Sequence, residues 1–220
     1  MNPKKLKERR ERIQKLDSAL KKLFPGAGIE LKFKNPLQLL IAVRLSAQCT
    51  DRVVNKVTEK LFKKYKAPGD YARANIREFE RDIKQTGFYR NKAKNILAAA
   101  RMIKEEFHGM VPRTMEELLR LPGIARKSAN VVLAEGYGVV AGITVDTHVI
   151  RFTKRYDLSD HKAAPRIEKD LMLLLPKKEW RGFAHRVIYY GRYLAPARRY
   201  DTNLDPLVKI YPLAAKKFRV

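Results

Sequence analysis

Two short stretches of this chain carry side chains able to do covalent chemistry. In "LPGIARKSANVVL", Leu121 to Leu133, a Pro-Gly turn opens into a helix with Arg126 and Lys127 in its first turn. Exposed N–H groups and the helix dipole disfavour cations there. A phosphate bound alongside would neutralise them, and the hairpin brings together the backbone N–H groups of Gly123, Ile124 and Ala125 to receive one. The positive helix end, neighbouring cations and partial desolvation also favour a neutral Lys127 amine, and a neutral amine is a nucleophile. The plainer alternative for the pair is a solvated charged turn.

In "GITVDTHVIRF", Asp146 stands at an N-cap position ahead of a helix carrying His148, Ile150 and Arg151. Read alone, Asp146 is simply the cap of that helix. His148, one turn into a helix, reads as a structural hydrogen-bonding group. Glu105-Glu106 and Glu116-Glu117 read as solvated helix faces.

These residues need a scaffold, and 220 residues with 45% hydrophobic content suffice for one large or two small domains. Lys and Arg number 48 against 23 Asp and Glu, a formal charge of +25. Such an imbalance implies a polyanionic partner, nucleic acid ahead of membrane. No apolar run approaches a membrane span, and "MNPKKLKERRERIQKL" lacks the apolar centre of a signal peptide, so the expected location is cytoplasmic and nucleoid-associated. The single cysteine, Cys49, excludes an internal disulfide and any multi-cysteine metal site.

Periodicity supplies helices throughout. Leu6, Ile13, Leu16, Leu20, Leu23 and Phe24 form one stripe ending at Pro25-Gly26. A buried helix follows Pro36, and an amphipathic one runs from Val53 to Tyr65, with the polar loop "AQCTD" between them. Two further helices, through Ile83 and through Ile103, are joined by "QTGFYRN", which leaves Phe88 and Tyr89 on a turn. Thr114 and Glu117 have capping-box spacing. The β-branched "YGVVAGITVDTHVIRF" suggests a strand by propensity, yet its helical surroundings favour a loop entering a helix. "PRIEKDLMLLL" and "WRGFAHRVIYYGRYL" read as two more helices before an irregular end.

Together "LPGIARKSANVVL", "VDTHVIR", "LLIAVRLSAQCTD", "TGFYRNKAKNI" and "YYGRYL" strongly resemble the endonuclease III family of DNA glycosylases, the helix-hairpin-helix superfamily with a following aspartate. The resemblance runs from about Pro36 to Leu194. It implies that Lys127 is the nucleophile and Asp146 the essential aspartate, that Gln48 fills the gap left by a flipped base, and that Phe88 is the apolar wedge on the opposite strand. The chemistry implied is attack of Lys127 on C1′ as the base departs, a Schiff base, and strand cleavage by β-elimination.

Many members of that family end in a four-cysteine loop holding an iron–sulfur cluster. Here the corresponding positions are Ala195, Thr202, Asp205 and Tyr211, so the cluster is expected to be absent. Tyr193, Tyr200, Leu204, Leu207 and Tyr211 are expected to pack the loop directly, with Arg198 and Arg199 retaining its phosphate-facing charge. No cofactor is required, though the hairpin carbonyls leave room for a monovalent ion.

The expected fold is all-α: two helical lobes with a helix-hairpin-helix motif and an active-site cleft between them. Residues 28–140 form the continuous lobe, and residues 1–27 with 141–220 form the second. The expected function is a bifunctional DNA glycosylase and abasic-site lyase for oxidised pyrimidines in duplex DNA, acting as a monomer away from membranes. One rival is a monofunctional glycosylase for alkylated or mismatched bases, against which Lys127 counts. Another is a non-catalytic DNA-binding module, which would need neither Asp146 nor Gln48.

Overall fold

The computed structural model describes every residue except Met1, Arg199 and residues 217–220. Among the described residues all regular structure is helical, and no helix is long and apolar enough to cross a membrane. The chain divides into two compact units, Glu30–Ala141 and a unit made of Met1–Ile29 with Gly142–Val220.

The continuous unit is built around two apolar helices. α2, Pro36–Leu45, starts where Asn35 caps it through Gln38 N and Pro36 occupies the first turn. It is buried at Leu37, Leu39, Leu40, Ile41, Ala42 and Leu45, so water reaches little of it. α6, Tyr89–Glu106, buries Ala93, Ile96, Leu97, Ala100 and Ile103 at helical spacing. Against these pack α3, Asp51–Lys64, the short α4, Pro68–Ala72, and α5, Ile76–Ile83. Tyr65, Tyr71 and Phe79 form an aromatic trio with ring centroids 5.0–6.0 Å apart. α7, Met115–Arg120, begins at Thr114, whose hydroxyl oxygen accepts from Glu117 N and donates to the Glu117 carboxylate at 2.8 Å. α8, Arg126–Val131, then continues as a π-helical turn, Val132–Gly136.

The discontinuous unit joins both ends of the chain. α1, Pro3–Leu23, places Ile13, Leu16 and Leu20 fully buried beside α10, Ala164–Leu174, and α11, Trp180–Tyr189. Each such side chain contributes about 1.5–3 kcal/mol of burial. Polar ties fix the register: buried Arg9 donates to the Asp157 carboxylate at 2.9 Å and to Asp160 at 2.7 Å, and Arg186 grips buried Asp17 at 2.6 Å. Beside Arg9 and Lys5, the Asp160 carboxyl is held well below the usual carboxylate range. The remaining helices are α9, Thr147–Arg155, and α12, Leu213–Lys216; α11 runs on as a π-helical turn, Tyr190–Leu194.

Two expectations need correction, one helix was not foreseen, and one expectation holds. Tyr89 is the first residue of α6, and only Phe88 remains outside as its cap. The helices after the hairpin and after Trp180 both finish as π turns, which hydrophobic periodicity does not distinguish from α. α4 went unread because five residues are too few to show a period. The β-branched stretch before α9 is irregular backbone and carries no strand.

Candidate active site

The hairpin is a tight turn from Leu121 to Ile124, closed by Ile124 N donating to Leu121 O at 3.1 Å. Gly123 has φ +78°, and a Cβ on it would lie 2.6 Å from Arg44 Nε and 2.9 Å from Asn95 Cβ. Both conformation and space therefore demand glycine. The closing bond also corrects the anion-site reading: the Ile124 N–H is already committed and its side chain is buried. The N–H groups of Gly123 and Ala125 have no backbone acceptor among the described residues.

Lys127 is the second residue of α8 and is exposed, as is Arg126 before it. Among the described residues Lys127 makes no hydrogen bond or ion pair, so nothing in the fold competes for its amine.

Asp146 caps α9. Its Oδ1 accepts from His148 N at 2.8 Å and Val149 N at 3.0 Å, while Oδ2 has no hydrogen-bond partner among the described residues. One oxygen is structural and the other is available for chemistry. Asp146→Asn is therefore expected to keep the cap, since asparagine serves there as well as aspartate, and to leave thermal stability almost unchanged. Base excision should nevertheless fall by about 10²-fold or more, the usual scale for loss of a positioned charge or base. Melting curves beside single-turnover rates check this; an Asn variant with full activity would make Asp146 only a cap.

His148 bears out its structural reading. Its Nδ1 lies 3.3 Å from the Arg151 guanidinium, and a Cβ on Gly191 would come within 2.3 Å of it. Arg151 donates in turn to the carbonyls of Gly191 and Ala195, tying α9 to the end of the π turn.

Gln48 and Phe88 share an unusual backbone. Both are left-handed, at φ 53° and 47°, and both side chains are exposed, Phe88 by 67%. A bulky residue seldom adopts this conformation without purpose. Phe88 is thus not a core phenylalanine. Gln48 lies in the loop between α2 and α3, and Phe88 caps α6.

Residues 41–177 match the HhH-GPD superfamily of base excision DNA repair proteins. The chain is 50% identical over 196 residues to endonuclease III of Synechocystis sp., covering 89% of this chain and 90% of that protein. The chain belongs to the endonuclease III family. Endonuclease III of Bacillus subtilis is 47% identical over 189 residues, covering 86% of each. The chain also superposes on an endonuclease III solved as a trapped covalent intermediate with DNA, at a TM-score of 0.90 and 43% identity, over 96% of this chain and 99% of that one.

The C-terminal loop holds other side chains at the positions where the resemblance places cysteines. Asp205, at one of the four cysteine positions, is buried. Its Oδ1 accepts from Leu207 N at 2.9 Å, and its Oδ2 accepts from the hydroxyls of Tyr156, Tyr190 and Tyr200. The Arg155 guanidinium stacks 3.7 Å from the centre of the Tyr200 ring and donates to the Tyr190 hydroxyl. Burial, with Asp205 adding to it, pushes the Tyr200 phenol up to about 12. Ala195, at a second cysteine position, is fully buried, and Tyr211, at a fourth, stacks under Arg12 at 4.0 Å. A donor set of one carboxylate and phenols, with no thiolate, does not fit an iron–sulfur cluster.

The expected packing of this loop is only partly right. Leu207 is fully buried, and Tyr200 and Tyr211 pack against the core. Tyr193 is 64% exposed and Leu204 76% exposed, so neither packs the loop. Arg198 is exposed, and Arg199 lies outside the described residues. Sequence reading missed Arg44, Lys92 and the Asp205 network. Lys92 and Arg44, each a cation in an apolar row, left a signal; the Asp205 network left none.

Proposed function

We infer that the protein is a bifunctional DNA glycosylase and abasic-site lyase of base excision repair, acting on duplex DNA that contains damaged bases or abasic sites. The observation that carries this is Lys127, exposed and unpartnered among the described residues at the head of α8 behind a glycine-locked turn. Lys127 attacks C1′ as the base leaves, and the resulting Schiff base makes the sugar lose its 3′ phosphate by β-elimination. Asp146, through Oδ2, steadies positive charge developing on the sugar or takes a proton from the lysine. Because Lys127 is exposed, its water is removed by the DNA and not by the fold. Gln48 fills the gap left by the extruded nucleotide and Phe88 wedges the opposite strand, offsetting part of the unstacking cost. Gly123, Ala125 and Arg126 hold phosphate near the hairpin, and Arg198 and Arg199 supply further charge.

The substrate class we propose is oxidised pyrimidines, the working form a cytoplasmic, nucleoid-associated monomer, and the resident cofactor none, with a monovalent ion at the hairpin as the one candidate. The cluster-free reading rests on the donor set around Asp205. Purified protein is expected to be colourless and free of stoichiometric iron; visible absorption with bound iron would overturn it.

The functional experiment is borohydride trapping of the wild-type protein on three duplexes, with an oxidised pyrimidine, an alkylated purine or no lesion. A covalent adduct, mapped by mass to Lys127, on the first duplex alone supports both activity and substrate class. An adduct on the second instead would move the substrate to alkylated purines. Base release without any adduct would leave a monofunctional enzyme.

A further inference from the structure

Lys92 lies on the inner face of α6, in the row Lys92, Ile96, Ala99 and Ile103, and is 1% exposed. Its Nζ donates to the carbonyl oxygens of Leu45 and Thr86, both at 2.7 Å. Leu45 is the last residue of α2, three before Gln48. Thr86 closes the 3₁₀ turn Lys84–Thr86, two before Phe88. The backbone N–H of Lys92 donates to the Phe88 carbonyl at 3.1 Å.

One residue therefore holds the chain just ahead of both left-handed residues. No carboxylate pairs with Lys92 among the described residues; burial pulls its pKa down, with Cys49 acting against this and the Arg44 guanidinium adding to it. A buried ammonium held by carbonyls alone is costly where an apolar side chain of similar length would fill the row. What the ammonium adds is direction. It satisfies an orphan carbonyl at the negative end of α2 and a turn carbonyl from a separate segment, and so joins two elements that share no backbone hydrogen bond among those described.

We propose that Lys92 is a positioning residue that sets the spacing between Gln48 and Phe88, so that both side chains enter the duplex as one unit. This rests on the reading of Gln48 and Phe88 given above. It adds that their separation is held before DNA arrives, by a side chain that never touches DNA.

The test is Lys92→Met, which keeps length and apolar stem but removes the donors, with Lys92→Leu, equally without donors, as a second variant should Met fail to fold by circular dichroism. Base excision from a duplex requires extrusion and gap filling, whereas borohydride trapping on a single-stranded abasic oligonucleotide does not. Excision is expected to fall by about 10²-fold, the scale of an ångström-level misplacement, while single-stranded trapping is retained. A 2-aminopurine beside the lesion should lose its insertion signal, and Lys92→Met placed on Gln48→Ala should add little. Equal loss of both reactions, no loss of either, or full additivity with Gln48→Ala would overturn the proposal. Wild type serves as the separate control: if it performs neither reaction, the functional reading itself falls.

Discussion

Lys127→Ala is expected to yield no borohydride-trapped complex on a duplex with one abasic site, while still binding that duplex. Strand cleavage should drop by about 10⁴-fold or more, the scale on which removing a covalent nucleophile acts. The variant is clean because Lys127 is exposed and, among the described residues, makes no hydrogen bond or ion pair. A surface substitution of this kind changes stability by no more than about 0.5 kcal/mol, so lost activity reports chemistry and not folding. Binding persists because one charge among 48 basic residues leaves most phosphate contacts in place. An alanine variant that still traps would place the attacking amine elsewhere, and one that also loses duplex binding would make Lys127 a phosphate contact.

Asp205→Ala is expected to be the most damaging single change in the discontinuous unit. It strips the acceptor from three tyrosine hydroxyls and the cap from Leu207 N at once. Breaking a buried charged network by removing one member costs about 3–5 kcal/mol. For a chain of this size that lowers Tm by about 10 °C, readable by calorimetry. Asp205→Asn, which keeps one acceptor, should lose less. The same network sets an alkaline limit. Burial raises the Tyr156, Tyr190 and Tyr200 phenols above the ordinary value of 10.0. Being protonated in the fold and titratable when unfolded, they contribute stability that is complete below pH 10 and declines as pH rises further. Unfolding should therefore begin above pH 10, with phenolate absorption appearing in the same transition. A wild-type protein whose tyrosines all ionise near pH 10 with the fold intact would refute the network's role, as would an unchanged Tm for the alanine variant.

What the sequence disclosed and what it hid divide along chain separation. α1, α3 and α6 were legible because a buried face repeats within each helix, and α2 because its run after Pro36 is too apolar to face water. Asp146 was legible as a cap and Pro122-Gly123 as a turn, since both signals are local. The Asp205 network was not, because it gathers residues 155, 156, 190, 200 and 205 from three segments, and a carboxylate in a loop of arginines reads as solvated. Lys92 was passed over for the same reason: its partners lie 47 and 6 residues away, and its intrusion into an apolar row acquires meaning only with those carbonyls located. Ile124 shows the reverse error, in which a donor counted as available had been used by the turn that displays it.

The lone cysteine has a consequence for optical work. Cys49 follows Gln48 directly, is partly accessible, and carries the chain's single thiol, which makes a weak 3.8 Å contact to the Thr50 carbonyl. A maleimide dye would therefore label one place, with no background to engineer away. That place is the loop proposed to enter DNA, so a single-molecule intensity trace on a duplex would report each insertion if the proposal holds.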